Sequence, residues 1–262
     1  GQGDISLAGT RLLPSRANVQ VAGNTLDLDG SFGAARDKLK FKVDAPQLAR
    51  LGYGLGGLLR LDGILSGTRE RPNLLASFQA EQLAFGPHKL HHLSGQSELH
   101  SNLAAGVASP DNRLALTLEG DGYSGPQAEL ARLGLKLDGT YASHTLALQA
   151  KGKVADQVLD LNLAAHGKVT EKTRGNYGWA GSLDQFSNLG LPRIAMASPL
   201  ALEASADGVE AGSTRIEIDR MALDLKRLSY RQGRLASAGQ VRALDVGRVL
   251  ELVQQFTDTP PP

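Results

Sequence analysis

LRLDG, residues 59–63, runs apolar, basic, apolar, acidic and then glycine. LDLDG (26–30) and LKLDG (135–139) repeat it, and ISLAG (5–9), VQVAG (19–23) and LTLEG (116–120) share the form apolar-x-apolar-x-Gly. Successive side chains of a strand point to opposite faces, so each run puts Leu, Val or Ile on one face and polar residues on the other. LKFKV (39–43), TLALQAKG (145–152), LDLNLAAHG (159–167), LALEASADG (200–208), RIEID (215–219) and ALDLKRL (222–228) carry the alternation through the chain. None offers the i, i+3, i+4, i+7 spacing of an amphipathic helix. The chain therefore reads as all-β, with about 14 to 18 half-exposed antiparallel strands at ordinary strand and loop lengths.

Glycine makes up 31 of the 262 residues, against roughly 7% in average proteins. Asp29-Gly30, Asp62-Gly63, Asp121-Gly122, Asp138-Gly139 and Asp207-Gly208 are the dipeptides favoured in tight turns, so a turn or bend is expected at each. Two segments depart from the alternation. In DAPQLARLGYGLGGLL (44–59), Asp44 is a candidate N-cap, Pro46 suits a first turn, and Leu48, Leu51 and Leu55 have helical spacing. In LDVGRVLELVQQF (244–256), Val246, Val249, Leu250, Val253 and Phe256 share one helical face behind Asp245. The expected organisation is a β-sheet over 1–243 with a short helical insertion near 46–57, an amphipathic helix over 244–256, and a disordered tail over 257–262.

Composition argues against several classes of function. The charges nearly balance, 28 Lys+Arg against 27 Asp+Glu, and no basic patch is interleaved with aromatics, so nucleic acid is not an expected partner. No run reaches the ~18 apolar residues of a membrane-spanning helix. There is no cysteine, which excludes disulfides, thiolate metal sites and a cysteine nucleophile. GYGLGG (52–57) matches G-x-G-x-x-G through Gly52, Gly54 and Gly57, but a helical turn precedes it and a strand follows. That order is the reverse of the one that sets a phosphate at a helix N-terminus. His88, His91, His92 and His100 cluster, with His88 and His92 expected on one strand face and His91 on the other. Without converging carboxylates or thiolates they read as a solvated strand, not a metal site. No G-x-S-x-G, P-loop or H-E-x-x-H motif occurs, and neither an enzyme nor a cofactor is expected.

The stretch beginning with the opening pentapeptide carries more than its period. LRLDGILSGTRERPNLLASFQAEQLAFG (59–86), with Gly57 before it, supplies Gly57, Leu59, Gly63, Leu65, Gly67, Thr68, Pro72, Leu74, Ala76, Ala80 and Leu83. These fall into the pattern G-x-L-x-x-x-G-x-L-x-G-T-x-x-x-P-x-L-x-A-x-x-x-A-x-x-L and resemble a signature of the TamB family. YGWAGSLDQFSNLGLPRIAMASPLALEASADGVEAG (177–212) is similar to a second family stretch, W-x-G-x-L followed by a Pro-Leu-x-Leu pair. The resemblance implies an internal fragment of an AsmA-like, bridge-type lipid-transfer protein. It implies an elongated antiparallel sheet curled into an open trough, the β-taco, with an apolar inner face. It also implies a periplasmic location, an inner-membrane anchor elsewhere in the protein, and an outer-membrane Omp85-type (TamA-like) partner reached through the full-length protein. The function expected from it is phospholipid movement from inner to outer membrane and a part in outer-membrane biogenesis.

On that reading the ligand is the phospholipid acyl chain. The groove lining is Leu59, Leu61, Leu116, Leu118, Leu135, Leu137, Leu146, Leu148, Leu159, Leu161, Leu163, Leu200, Leu202, Leu223 and Leu225. The alternative use of the same sheet is a structural or client-binding module that offers strand edges to outer-membrane protein chains by β-augmentation.

Overall fold

The computed structural model describes residues 1–102, 109, 112–173, 176–243 and 247. The alternating segments form nineteen strands. They are β1 (Gln2–Asp4), β2 (Leu7–Ala8), β3 (Arg11–Val21), β4 (Asn24–Phe32), β5 (Lys38–Ala45), β6 (Leu55–Gly67), β7 (Pro72–Phe85), β8 (His88–His100), β9 (Arg113–Gly125) and β10 (Ala128–Thr140). They continue as β11 (His144–Val154), β12 (Gln157–Thr173), β13 (Asn176–Asn188), β14 (Ile194–Met196), β15 (Leu200–Ser205), β16 (Gly208–Ala211), β17 (Thr214–Ile218), β18 (Met221–Arg231) and β19 (Arg234–Arg242). All belong to one antiparallel sheet, and from β3 to β13 each strand pairs with the next in sequence. β1 and β2 both pair with β3 at one end, and β19 pairs with β18 at the other.

Beyond β13 the meander continues through two broken strands. β14 and β15 both pair with β13, while β16 and β17 both pair with β18. Pro199 lies in the first break, where it has no N–H for a ladder bond. The Thr214 hydroxyl spans the gap by donating to the Ser198 carbonyl at 2.6 Å. These breaks raise the strand count above the range expected from the alternation.

The sheet curls into a trough and does not close as a barrel. Its buried apolar residues, among those described, are Ala17, Ala45, Ala80, Ala150, Ala165, Leu200, Ala211, Met221 and Ala222, almost all of them small. A sandwich of this length would bury large aliphatic side chains between two layers. Here Leu59 and Leu61 are half-buried while Arg60 and Asp62 beside them are exposed, and no second layer covers the leucines among the described residues. Their cross-strand neighbours, Ala45 and Ala80 beside Leu59 and Val43 and Phe78 beside Leu61, cover part of them.

Most of the Asp-Gly pairs do not end strands. Gly30, Gly63, Gly122 and Gly139 lie inside β4, β6, β9 and β10, and only Asp207-Gly208 closes a hairpin. Residues with positive φ at both positions make the turns at Ala22-Gly23, Ala155-Asp156 and Gln232-Gly233, the condition for two-residue hairpins that follow the twist of the strands. Gly63 serves packing instead: a Cβ there would collide with the Phe41 ring from β5.

Residues 48–51 form one turn of 3₁₀ helix. Asp44 does not cap it but lies in β5, with its carboxylate 3.6 Å from Arg60 Nε. Gln47 precedes the turn without a side-chain cap, and positive φ at Gly52, Tyr53 and Gly54 returns the chain to β6. The amphipathic segment 244–256 and the tail 257–262 lie outside the described residues, apart from Gly247.

The two long margins of the trough differ. One carries the turns at Ala22-Gly23, Gly86-Pro87, Pro126-Gln127 and Ala155-Asp156 together with the 3₁₀ turn. The other carries the loops 33–37, 68–71 and 141–143. We call them the turn margin and the loop margin.

Candidate functional site

Cross-strand partners share a sheet face, so the register traces each face from strand to strand. One row runs Val19–Leu26–Val43–Leu61–Phe78–Gly95–Leu118–Leu135–Leu148–Leu163–Phe186, from β3 to β13. Ten strand spacings of about 4.8 Å make that row roughly 48 Å long. No charged residue interrupts it. A parallel row runs Ala17–Leu28–Phe41–Gly63–Ala76–Ser97–Leu116–Leu137–Leu146–Ala165–Leu183–Leu200.

The remaining leucines singled out from the sequence join the same face. Leu59 lies opposite Ala80, and Leu161 opposite Ala150 and Asn188, along one further row. Leu159 faces Gly152, and Leu202 lies between Gly181 and Ala211. Ala211 pairs with Leu228 on β18, which places Leu225 and Leu223 on this face across a bulge. All fifteen leucines are thus on one side of the sheet. Phe41 and Trp179, in the alternating runs LKFKV and YGWAGSL, share this face, as do Phe78, Tyr123 and Phe186, which the alternation did not single out. Each occupies an apolar slot of an alternating run, which is the signal that marks it.

A line of bulges keeps the face apolar. Gln82, His91, Gly122 and Ala131 are skipped by the ladders of β7, β8, β9 and β10, while their neighbours stay paired. Relative to β6 and β11, each of these four strands carries one extra residue, so its phase of alternation flips across the line. Leu90 and Leu93 consequently point the same way: both flank the space above Gly120.

This corrects the placement of the histidines. His88 faces inward, with Nδ1 2.8 Å from the Tyr123 hydroxyl, whereas His92, beyond the bulge, faces outward opposite Glu81 and Asp121. His91 Nδ1 is 2.9 Å from Asp121 Oδ1, and His100 Nε2 is 3.3 Å from Glu98. Each histidine with a partner has a different one, and they do not converge.

Few polar groups lie on the inner face, and their hydrogen bonds are internal. His144 is buried between the Thr140 carbonyl and the Trp179 indole N–H. Asn188 accepts from Asp160 and Gly190 N–H and donates to the Pro192 carbonyl. The opposite face carries cross-strand charges such as Lys151–Asp160 and Arg16–Asp29. A cavity of about 650 Å³ opens on that charged side near His166, Lys168, Glu203 and Arg227, and its Glu210 is held by Arg227 and Arg231. The inner face is different in kind: its rows are largely apolar, and the His144 and Asn188 groups on it are engaged by neighbouring protein groups.

Among the described residues no helix is long and apolar enough to cross a membrane. A family model described as "TamB, N-terminal domain" matches residues 2–207. No curated protein matches the chain.

Proposed function

Because the chain belongs to the TamB family, we propose that it is a periplasmic segment of an intermembrane bridge whose trough carries phospholipid acyl chains from the inner to the outer membrane. The observation that carries this reading is the unbroken row from Val19 to Phe186 in a sheet on which no second layer packs among the described residues. An apolar face of that extent is unstable in water unless something apolar occupies it. Each methylene moved from water onto the wall contributes about 0.8 kcal/mol. A uniform aliphatic wall offers no deep well in which a sliding chain would stall. Contribution to outer-membrane biogenesis, with a TamA-like partner engaged through the full-length protein, follows from the same reading.

Site-specific photo-crosslinking tests it directly. Leu137 faces the trough and Lys136, its neighbour in β10, faces away. A crosslinker at Leu137 should capture phospholipid in cells and one at Lys136 should not; capture at both positions or at neither removes the assignment. Leu118→Asp and Leu137→Asp should abolish capture while the sheet stays folded, since both side chains sit on a half-exposed wall. Unfolding of both variants would mean that the wall is a packed core.

A second reading rests on one observation. All nine residues of β19 are exposed, and the strand is paired only on its β18 side among the described residues. Such an edge is a template for strand addition. A crosslinker at Ala238 that captured outer-membrane protein strands, with no lipid captured at Leu137, would favour β-augmentation over the conduit.

A further inference from the structure

The loop margin carries a cationic cluster beside the apolar wall. Loop 33–37 and loop 68–71 are adjacent, joined by Gly33 N–H to the Gly67 carbonyl and Gly67 N–H to the Asp37 carbonyl, each at 3.2 Å. Arg36, Arg69 and Arg71 are exposed on these two loops, and none forms an ion pair with another described residue. Arg11 belongs to the same corner but is bound to Asp37 through two hydrogen bonds, at 3.0 and 3.1 Å. Among the described residues of these two loops the other acid is Glu70, whose carboxyl is held below its ordinary value by its own backbone N–H, by the Thr68 hydroxyl and by the field of Arg69 and Arg71. With the exposed Lys38 at the start of β5, three guanidinium groups and one ammonium stand against one carboxylate, a net charge of +3 once the Arg11–Asp37 pair is set aside.

The cluster stands at the end of an inner row. Leu39, Leu65 and Leu74 are consecutive partners across β5, β6 and β7, and each lies only a few residues from the loops. At ~3.4 Å per residue, an arginine on either loop can place its guanidinium just above the margin where this row meets water. Apolar wall below and unpaired cations above is the division of a phospholipid, acyl chain and phosphate. The turn margin exposes Tyr53, Phe85 and Val158, and its exposed cations Arg50, Lys89 and Lys153 stand singly on separate elements.

We propose that Arg36, Arg69 and Arg71 bind the phosphate of phospholipid headgroups whose acyl chains lie against Leu39, Leu65 and Leu74. The loop margin thereby sets the orientation in which lipid sits in the trough. Guanidinium is suited to this because its fork of N–H donors matches phosphate oxygens in two-point contacts. The inference rests on the trough reading, and the experiment separates the two. Binding of three probes to the 262-residue chain is measured: lysophosphatidylglycerol, a monoacylglycerol with the same acyl chain, and inorganic phosphate, both lipids below their micelle concentrations. Arg36→Ser/Arg69→Ser/Arg71→Ser should weaken lysophosphatidylglycerol binding about tenfold and leave monoacylglycerol binding unchanged. The corresponding triple lysine variant, which keeps the charge, should retain most of the affinity. Unchanged lysophosphatidylglycerol binding, or equal weakening of both lipids, overturns the headgroup site and leaves the trough standing. An equal loss with inorganic phosphate alone also overturns it, since the cluster would then be a free-phosphate site. Wild-type chain that binds neither lipid would remove the trough and the headgroup site together.

Discussion

The indole N–H of Trp179 donates to Nε2 of His144 at 2.8 Å, and the other ring nitrogen, Nδ1, lies 2.9 Å from the Thr140 carbonyl. A carbonyl only accepts, so Nδ1 carries the proton and Nε2 is the acceptor. The tautomer is fixed by its two partners. Trp179→Phe would leave a buried Nε2 without a donor, which costs about 1–3 kcal/mol. Urea unfolding should show that loss, and adding His144→Leu to Trp179→Phe should recover part of it. A Trp179→Phe chain as stable as wild type would mean that water satisfies the nitrogen.

Two glycines inside strands provide a matched test of why glycine is needed there. A Cβ on Gly63 would strike the Phe41 ring and approach the Leu75 carbonyl oxygen to 2.6 Å, whereas one on Gly134 would meet nothing within 4 Å. Gly63→Ala should cost about 1–3 kcal/mol by overpacking. Gly134→Ala should be neutral or stabilise by up to about 1 kcal/mol, because alanine has less backbone entropy to lose. Thermal melts of the two variants settle it; equal effects would show that the ring over Gly63 simply moves aside.

Acid should loosen the loop margin first. The Asp37 carboxyl is held below its ordinary value chiefly by the Arg11 guanidinium, aided by Ser31 and the Ala34 N–H. A depressed folded-state value stabilises the fold fully above the ordinary carboxylate value of about 3.9. That contribution is lost as pH falls from there through the folded value. Asp37→Asn should therefore lower the urea midpoint near neutrality and flatten its fall below about pH 4. The measurement is the midpoint as a function of pH for both chains, and parallel curves would exclude Asp37 as the source.

Deleting Gln82 alone should leave the apolar wall in place. Without it β7 alternates unbroken, so Leu83 and Phe85 still follow Ala80 on the inner face, Ala84 stays outside, and His91 becomes a one-residue bulge against β7. Backbone hydrogen exchange should show protection in β6–β8 retained in the deletion chain, as in Gln82→Gly, which keeps the length and suits the positive φ there. Protection lost in the deletion chain alone would mean that β7 and β8 must carry their bulges as a pair.

Much of this architecture is legible in the sequence, because a period of two needs no knowledge of partners. LRLDG and LKLDG state the strand, the two faces and the apolar side at once, and the leucines they contain lie on the inner face. The bulge line is also written there, as tetrads with two outward residues between apolar or small ones: Ala80-Glu81-Gln82-Leu83, Leu90-His91-His92-Leu93, Gly120-Asp121-Gly122-Tyr123 and Leu130-Ala131-Arg132-Leu133. Read as unbroken alternation, LHHL put His88 and His92 on one face; read as a phase slip, it separates them. The packing of Phe41 on Gly63 was not legible, since it depends on the register between two strands and not on either pattern alone. The Asp-Gly pairs misled for a related reason: a dipeptide permits a turn, but strand pairing on both sides of Gly63 holds it extended.

Because Gln82, His91, Gly122 and Ala131 lie in line, the ladders within β7–β10 set bulge against bulge, and only those to β6 and β11 set a bulge against a regular strand. Loss of Gln82 or Ala131 would move that mismatch one ladder inward without turning an apolar side chain off the wall. Such a seam can retreat from its ends, strand by strand, while the face it runs through stays the same.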